Sequence, residues 1–311
     1  MGPVGLLDSF VEDGVDNSYT YDDALAAMAF LSSGEVLTTE KILDAFLTIQ
    51  SELAGGFLHR YSVNGANAGG TLGAGHNAYL LQAMNLFSWR TGIHKYDAVA
   101  RRIADYLLSL QDNSDGGIFG RSGVTWKSTE NNLAAYSAIS NLALVQNLPD
   151  YGVKAGKIGD FIRRDCWDGT RFLTGKNDTM IVTDAQALGT QILGPSWSNG
   201  SYWVENYTRN TERYTSRKQV TGFDLNTDRD TVWSEGTLQQ SVAFWLVADN
   251  SRFSFYKTEI EKLIQPSGAI WAASNRGTTG FGDNFERWQA IAPTAWYVFL
   301  SYQDNVLRLL P

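Results

Sequence analysis

Carboxyl side chains stand at the start of several apolar segments of this 311-residue chain. The clearest case is TVWSEGTLQQSVAFW, in which Glu235 precedes a run with helical apolar spacing. Glu130 in STENNLAAYSA and Asp184 in VTDAQALGTQI stand in the same place, as do Asp22 and Asp23 in TYDDALAAMAF. Cleavage of a glycosidic bond requires two carboxyl groups with different pKa values, because one must donate a proton and the other must be ionised.

An acid in the first turn of a helix also has an ordinary structural explanation, because it favours the positive end of the helix dipole. Thr129, Thr183 and Ser234, which precede three of the acids, are common N-caps. The same dipole lowers a carboxyl pKa, so a proton donor there needs burial or a neighbouring negative charge. Trp126 and Trp233 stand close to two of these acids, and a purely stabilising arrangement does not require them. The aromatic residues therefore favour a binding site.

The acidic pattern belongs to a longer repeat. Apolar helices are predicted to begin near six residues spaced 51 to 58 positions apart, namely Asp22, Asn77, Glu130, Asp184, Glu235 and Pro293. Amphipathic segments follow them, at 38–50, 95–111, 150–165 and 251–265, and a fourth outer helix is predicted within 201–214. Six helical hairpins with buried inner helices predict an all-α (α/α)6 toroid, as a single domain over residues 1–311. The N-terminal segment 3–13 is predicted to help fill the sixth outer position.

The inner helices of such a ring begin at one end, where their polar first turns and the covering loops are expected to converge. Aromatic rings pack against the C–H faces of sugars, and polar side chains bind the hydroxyls. We therefore predict a carbohydrate substrate. The predicted substrate-binding residues are Asp22, Asp23, Arg60, Tyr61, His76, Asn77, Trp126, Asn131, Asp228, Arg229, Trp233, Trp271 and Trp288.

Six inner helices with acids at their starts, carried by YTYDDALA, STENNLAAY and WSEGT, resemble the six-hairpin glycosidase superfamily of (α/α)6 toroids. The resemblance extends over nearly the whole chain and points to no single family. It implies glycoside hydrolases, which are often secreted and often inverting, and also polysaccharide lyases, which share the ring.

The function predicted first is a glycoside hydrolase that cleaves an oligo- or polysaccharide by carboxylate acid and base catalysis. Glu130 and Glu235 are the predicted acid and base, and Asp184, on the hairpin between them, is the substitute for either. A separation of two hairpins leaves room for a water molecule and therefore predicts inversion at the anomeric carbon.

Two alternatives stay open. A polysaccharide lyase acting on a uronate would need a base and groups that neutralise the uronate, which His76, Asn77, Arg60, Tyr61 and Arg229 can supply. The acidic composition counts against such a polyanionic substrate. A non-catalytic glycan-binding toroid would keep its tryptophans and tolerate the loss of Glu130 or Glu235.

Composition narrows the remaining possibilities. A net charge of -8 argues against binding to nucleic acid, and no run reaches the roughly 18 apolar residues of a membrane span. One cysteine and three scattered histidines argue against a zinc or thiolate centre, so no metal and no cofactor are predicted. Two interpretations of the Asp-rich stretch 112–117 stay open, a calcium site and a solvated turn. We expect a monomer that is extracellular or periplasmic after loss of a signal peptide, with a cytoplasmic location left open.

Overall fold

The computed structural model describes residues 1–49 and 55–309. The chain forms two compact units, of which unit 1 comprises Met1–Ser9, Val15–Cys166 and Val306–Pro311. Unit 2 comprises Phe10–Gly14 and Trp167–Asn305. The single domain expected over the whole chain stays a prediction.

Unit 1 is built from successive helical hairpins. Its elements in chain order are β1 (Asn17–Tyr19), α1 (Thr20–Ser32), α2 (Val36–Thr48), β2 (Arg60–Ser62), α3 (Ala74–Thr91), α4 (Asp97–Ser109), α5 (Thr129–Val145) and α6 (Pro149–Phe161). The strands β1 and β2 pair antiparallel, with Ser18 opposite Tyr61. This short pairing places the loop before α3 beside the start of α1.

The inner helices of unit 1 are α1, α3 and α5, which are buried over most of their length. Helix α3 packs between α1 and α5. Their small apolar residues permit close contact, and buried amides satisfy one another across it. Asn85 Nδ2 donates to Ala138 O at 2.8 Å, and Asn141 Nδ2 donates to Gln82 Oε1 at 2.8 Å. These hydrogen bonds offset the cost of burying the donor groups, whereas Asn85 Oδ1 is buried without a partner among the described residues.

The outer helices of unit 1 bury only one face. The predicted segments 38–50, 95–111 and 150–165 correspond to α2, α4 and α6, with ends that differ by a few residues. Residue 50 lies outside the described residues. Helix α6 continues into one π-helical turn, Ile162–Cys166, which carries the buried thiol of the single cysteine.

Unit 2 contains the remaining inner helices with longer loops between them. Its elements are α7 (Thr183–Leu193), α8 (Asn199–Thr208), β3 (Arg209–Arg213), β4 (Gln219–Phe223), α9 (Ser234–Leu246), α10 (Asn250–Glu261), β5 (Ile270–Trp271), β6 (Gly277–Thr278), β7 (Asn284–Phe285), β8 (Gln289–Ala290) and α11 (Ile291–Tyr302). Helix α9 packs between α7 and α11, while α8 and α10 cover α7 and α9 from outside.

The prediction of the fourth outer helix within 201–214 is only partly correct. Helix α8 ends at Thr208, and the following residues form β3, which pairs antiparallel with β4 and places Thr211 opposite Thr221. The β-branched residues Thr211, Val220 and Thr221 favour a strand at this point. A hairpin therefore replaces the last part of the expected helix.

The N-terminal segment 3–13, predicted to help fill the sixth outer position, forms no helix. Within unit 2, Phe10 forms an antiparallel bridge with Ala290, and Val11 N–H donates to Gln289 O at 3.1 Å. These residues therefore lie along β8, directly before α11, as extended chain. Among the described residues, no helix is both long enough and apolar enough to cross a membrane.

Candidate active site

The side chain of the fourth residue of each inner helix forms hydrogen bonds with the backbone of a residue that precedes that helix in the sequence. Asn77 Oδ1 accepts from Phe57 N–H and its Nδ2 donates to Phe57 O, both at 2.8 Å. Asn132 holds Ile118 in the same two-way manner, at 2.7 and 3.0 Å. Corresponding contacts are made by Gln186 to Phe172, Thr237 to Phe223 and Thr294 to Ile270. Asn77, predicted to bind substrate, is fully buried and its amide is occupied by this contact.

Asp23 is the fourth residue of α1 and follows the same rule. Its Oδ1 accepts from Leu7 N–H at 3.0 Å, and its Oδ2 accepts from the Ser18 hydroxyl. Asp22 accepts a hydrogen bond from the Ser9 side chain. Burial raises the pKa of both carboxyl groups to about 7, against the lowering effect of these hydrogen bonds. Both predicted sugar-binding acids therefore anchor the N-terminal segment of unit 1.

Glu130 is the second residue of α5 and lies beside the start of α3. A Cβ added to Gly75 would lie 3.8 Å from Glu130 Oε1 and 2.3 Å from Asn131 Oδ1, so the Asn131 side chain would have to move to admit a larger residue there. Glu130 and Asn131 are half-buried. His76 follows Gly75, and its Nε2 donates to Phe57 O at 2.9 Å. Burial lowers the pKa of His76 to about 4, so its imidazole is neutral at neutral pH.

The other predicted residues of unit 1 have different roles. The Tyr61 hydroxyl accepts from Leu58 N–H at 2.8 Å and is buried, which makes it part of the support for the loop. Arg60 is half-buried on β2 beside Gly69 and Gly70. Trp126 is 42% exposed, and its ring is accessible to a ligand.

Unit 2 brings two of the predicted acids to the starts of neighbouring helices. Asp184 and Glu235 are each the second residue of their helix, and α7 packs directly against α9. Gln240 Nε2 donates to Thr183 O at 2.9 Å, which ties α9 to the first residue of α7. The two carboxyl groups therefore belong to one end of one helix pair.

The environments of these two acids differ. Asp184 is half-buried, and its Oδ1 accepts from Ala185 N–H at 2.7 Å. Burial is the largest effect on this group and raises its pKa to about 6. Glu235 is 9% exposed, and its Oε1 accepts from Gln239 Nε2 at 3.1 Å. The two carboxyl groups therefore have different hydrogen-bond donors, a main-chain N–H for Asp184 and a side-chain amide for Glu235.

Three of the predicted substrate-binding residues of unit 2 are tryptophans, and each ring packs against another side chain. The Trp233 ring stacks on Phe285, with centroids 5.5 Å apart, and lies against Gly236, where an added Cβ would be 2.2 Å from Trp233 Cε3. The Arg287 guanidinium lies 5.0 Å from the centroid of the Trp271 ring, and Trp288 packs against Phe10 at 5.7 Å. Trp271 and Trp288 are half-buried, and Trp233 is buried.

Asp228 and Arg229 fasten the loop before α9. Asp228 Oδ2 accepts from the Thr278 hydroxyl at 2.6 Å, and Arg229 Nε donates to Tyr207 O at 2.6 Å. Arg229 has φ +58, in the left-handed region. Through these contacts, both residues hold the loop in place.

Three acids of this loop, Asp224, Asp228 and Asp230, offer oxygens within 4.8 Å of one another, so they can hold a metal ion. Asp224 is buried and already accepts from the backbone N–H groups of Leu225 and Thr231. Burial, followed by the charges of Asp228 and Asp230, raises its pKa to about 7. The absence of a metal site stays a prediction.

The Asp-rich stretch 112–117, left open for calcium, is occupied by an ammonium group. Lys127 Nζ lies 2.6 Å from Asp112 Oδ2 and 2.7 Å from Asp115 Oδ1, and the Lys127 side chain is only 5% exposed. This ion pair lowers the pKa of Asp112 far below its usual range, with the Lys127 hydrogen bond as the largest cause. The cation that neutralises these acids therefore comes from the chain itself.

Three solved structures similar to this chain combine high coverage with low sequence identity. A glycosidase variant in complex with glucose has a TM-score of 0.72 at 12% identity, covering 99% of this chain and 93% of its own. A D-mannose isomerase has a TM-score of 0.72 at 12% identity, covering 100% and 93%. A cellobiose 2-epimerase from Bacillus thermoamylovorans has a TM-score of 0.67 at 12% identity, covering 96% and 92%. The fold is the (α/α)6 toroid.

This result confirms the predicted fold class, and the resemblance to the toroid superfamily holds at the level of the fold. No protein-family model matches the sequence, and no curated protein matches it. At these identities the toroid fold is shared and the reaction is not specified.

Proposed function

We propose that this toroid is a sugar-processing enzyme and, more specifically, a glycoside hydrolase acting on an oligo- or polysaccharide. One observation carries the proposal: neighbouring helices α7 and α9 begin with Asp184, whose pKa is raised by burial to about 6, and Glu235, whose Oε1 accepts from Gln239 Nε2. Glycosidases divide acid and base roles between carboxyl groups in different environments. The glycosidase among the similar structures supports the same reading.

Asp184 is the proposed general acid. With its pKa raised to about 6, it keeps a proton further into the neutral range than an exposed aspartate does. In the proposed step its hydroxyl protonates the glycosidic oxygen as the bond to the anomeric carbon breaks.

Glu235 is the proposed general base, held ionised by the Gln239 N–H group. It takes a proton from the water molecule that attacks the anomeric carbon, so the elements of water are added across the bond. The axes of packed helices lie roughly 8–10 Å apart. That spacing is compatible with the roughly 6.5–9.5 Å between carboxyl groups of inverting enzymes.

Glu130, predicted as the partner of Glu235, lies in unit 1, whereas Glu235 lies in unit 2. Their pairing stays a prediction. A sugar-binding role for Glu130 also stays a prediction, and within unit 1 the exposed Trp126 ring offers a surface for the apolar face of a sugar. We further propose that the enzyme needs no cofactor and acts as a monomer outside the cytoplasm.

The test is a panel of neutral and uronate-containing glycans, assayed for new reducing ends. Asp184→Asn and Glu235→Gln are each expected to lower kcat/KM by about 10²–10⁴-fold, the usual contribution of acid or base catalysis. Wild-type activity should fall as pH rises through about 6, because Asp184 must be protonated. Asp160→Asn, at an exposed position on α6, is the matched control and should retain full activity. Unchanged hydrolysis in both active-site variants would exclude these roles.

The contacts in the site support the lyase alternative less than the sequence does. Three of its five candidate residues, Asn77, Tyr61 and Arg229, are engaged with backbone groups. His76 keeps the alternative testable, since a neutral imidazole can serve as a base. Lyase products would carry a new double bond and absorb ultraviolet light. Binding without any new product, unaffected by Glu235→Gln, would instead indicate the non-catalytic alternative.

A further inference from the structure

Gln239 is a buried amide placed directly below the candidate base. It stands four residues after Glu235 on α9, so the two side chains lie on the same face of the helix. Gln239 is 2% exposed, and its Nε2 donates to Glu235 Oε1 at 3.1 Å. Its Oε1 is buried and has no hydrogen-bond partner among the described residues. The carboxylate contact therefore determines which way the amide points.

The backbone of Gln239 is fixed by a neighbouring helix. Gln191 Nε2 of α7 donates to Gln239 O at 3.0 Å, and Asn305 Nδ2 donates to Gln191 O at 2.8 Å. Within unit 2, the side chains of Asn305 and Gln191 therefore each hold the main-chain carbonyl of the next residue, and the Gln239 side chain holds Glu235. Such support limits the positions that the amide donor can adopt.

We propose that Gln239 is a positioning residue that keeps Glu235 ionised and aimed for general-base catalysis. The inference rests on the proposed function, since it gives Glu235 the role of base. A hydrogen bond to a carboxylate stabilises the charged form, and it does so most strongly where water is excluded. At 9% exposure Glu235 has little water to replace that donor.

Other titratable groups lie on the neighbouring elements. Those carried by the elements packed against α9 are Asp184 of α7, Tyr202, Glu205 and Tyr207 of α8, Arg252, Tyr256, Lys257, Glu259 and Glu261 of α10, and Tyr297 and Tyr302 of α11. On α10, Arg252 pairs with Glu205 and Lys257 pairs with Glu261. These two cations of α10 therefore each have an acid partner of their own.

The experiment titrates Glu235 directly and needs no substrate. Protein labelled with [5-¹³C]glutamate is followed by carboxyl NMR across pH, and the Glu235→Gln variant identifies the Glu235 signal. In Gln239→Met, which keeps the length of the side chain and removes the donor, the midpoint of that signal should move up by about one pH unit. This shift corresponds to a hydrogen bond to a charged group of about 1.5 kcal/mol.

Gln240→Met is the matched control. Gln240 is also fully buried on α9, and its Nε2 donates to Thr183 O instead of a carboxylate. It should lower stability to a similar extent while leaving the Glu235 midpoint in place. Gln239→Glu provides a second variant of nearly the same shape, in which two carboxyl groups share a proton and the midpoint rises further. An unchanged midpoint in both Gln239 variants, or an equal shift in Gln240→Met, would overturn the proposal.

Kinetics separate this proposal from the function on which it rests. On any glycan that the wild type hydrolyses, Gln239→Met should move the acidic limb of kcat/KM upward by the same amount as the NMR midpoint. If Glu235→Gln stays fully active, the proposed function fails, whatever the titration shows. If Glu235→Gln is inactive but the acidic limb and midpoint of Gln239→Met match those of the wild type, only the role of Gln239 fails.

Discussion

At the scale of single residues, position within the first helical turn separates the acids with a proposed or predicted role in the site from those that hold a loop. Glu130, Asp184 and Glu235 are second residues of their helices, whereas Asp23 is a fourth residue and holds Leu7 N–H. The sequence shows five acids at helix starts and predicts that all of them line a site. The sequence does not distinguish the second position of a helix from the fourth, because an acid at either position interacts favourably with the helix dipole.

Asp23 yields a prediction about stability and pH. Burial raises its pKa in the folded protein from 3.8 to about 7, so the folded state holds a proton that the unfolded chain releases. The free energy of unfolding therefore declines as pH rises from about 4 to about 7 and does not recover above that range. Asp23→Asn removes the part of this decline that Asp23 contributes, and its amide can still accept from Leu7 N–H and donate to Ser18 Oγ.

We expect Asp23→Asn to exceed the wild type in the free energy of unfolding at pH 8 by about 1 kcal/mol or more, and to match it near pH 4. Urea unfolding at a series of pH values measures both. Asp16→Asn, at an exposed position two residues before Ser18, should follow the wild-type curve. A loss of the same size at every pH would show that folding does not raise the pKa of Asp23.

At the scale of elements, the sequence predicts the helices better than it predicts the structure of the loops between them. The inner helices begin within a few residues of their predicted starts, because buried helices show an unbroken run of small apolar residues. The hairpin of β3 and β4 was not predicted, since the Thr-rich segment 209–223 has no apolar alternation of its own. It forms because the two strands satisfy each other's backbone groups.

The contacts made by the fourth helix residues were also missed, although the signal is present. Polar residues recur at Asn77, Asn132, Gln186, Thr237 and Thr294, each following a loop with a Gly-containing turn and an apolar residue. Read singly, such a residue is an ordinary polar side chain in a first turn. Only its fixed distance from the helix start shows that it satisfies a buried loop backbone.

Asn132→Ala tests this element directly. The substitution leaves the N–H and C=O groups of Ile118 buried without their partner, and each such group costs about 1–3 kcal/mol. We expect the free energy of unfolding to fall by about 3 kcal/mol in urea titration. Asn131→Ala, at the adjacent half-buried position, should cost less than about 1 kcal/mol. Similar losses in the two variants would mean that the contact with the loop contributes little.

At the scale of the whole molecule, the fold sets where chemistry can occur and leaves the reaction open. Structures similar to this chain include a glycosidase, an isomerase and an epimerase at about the same TM-score. The sequence predicts the toroid because sixfold repetition of hairpins is a property of the entire chain. The proposed reaction depends instead on carboxyl groups whose environments come from burial and neighbouring side chains, and a periodic sequence pattern reports neither.

The stereochemistry of the product is the prediction that belongs to this scale. If Asp184 and Glu235 act as acid and base from adjacent helices, water attacks from the face opposite the leaving group and the product anomer is inverted. Proton NMR in the first minutes of hydrolysis, before mutarotation, distinguishes the two anomers on any glycan found in the panel. Asp160→Asn should give the same anomer as the wild type. Retention would require a carboxylate nucleophile about 5–5.5 Å from the acid, so Glu235 would then attack the sugar itself instead of activating water.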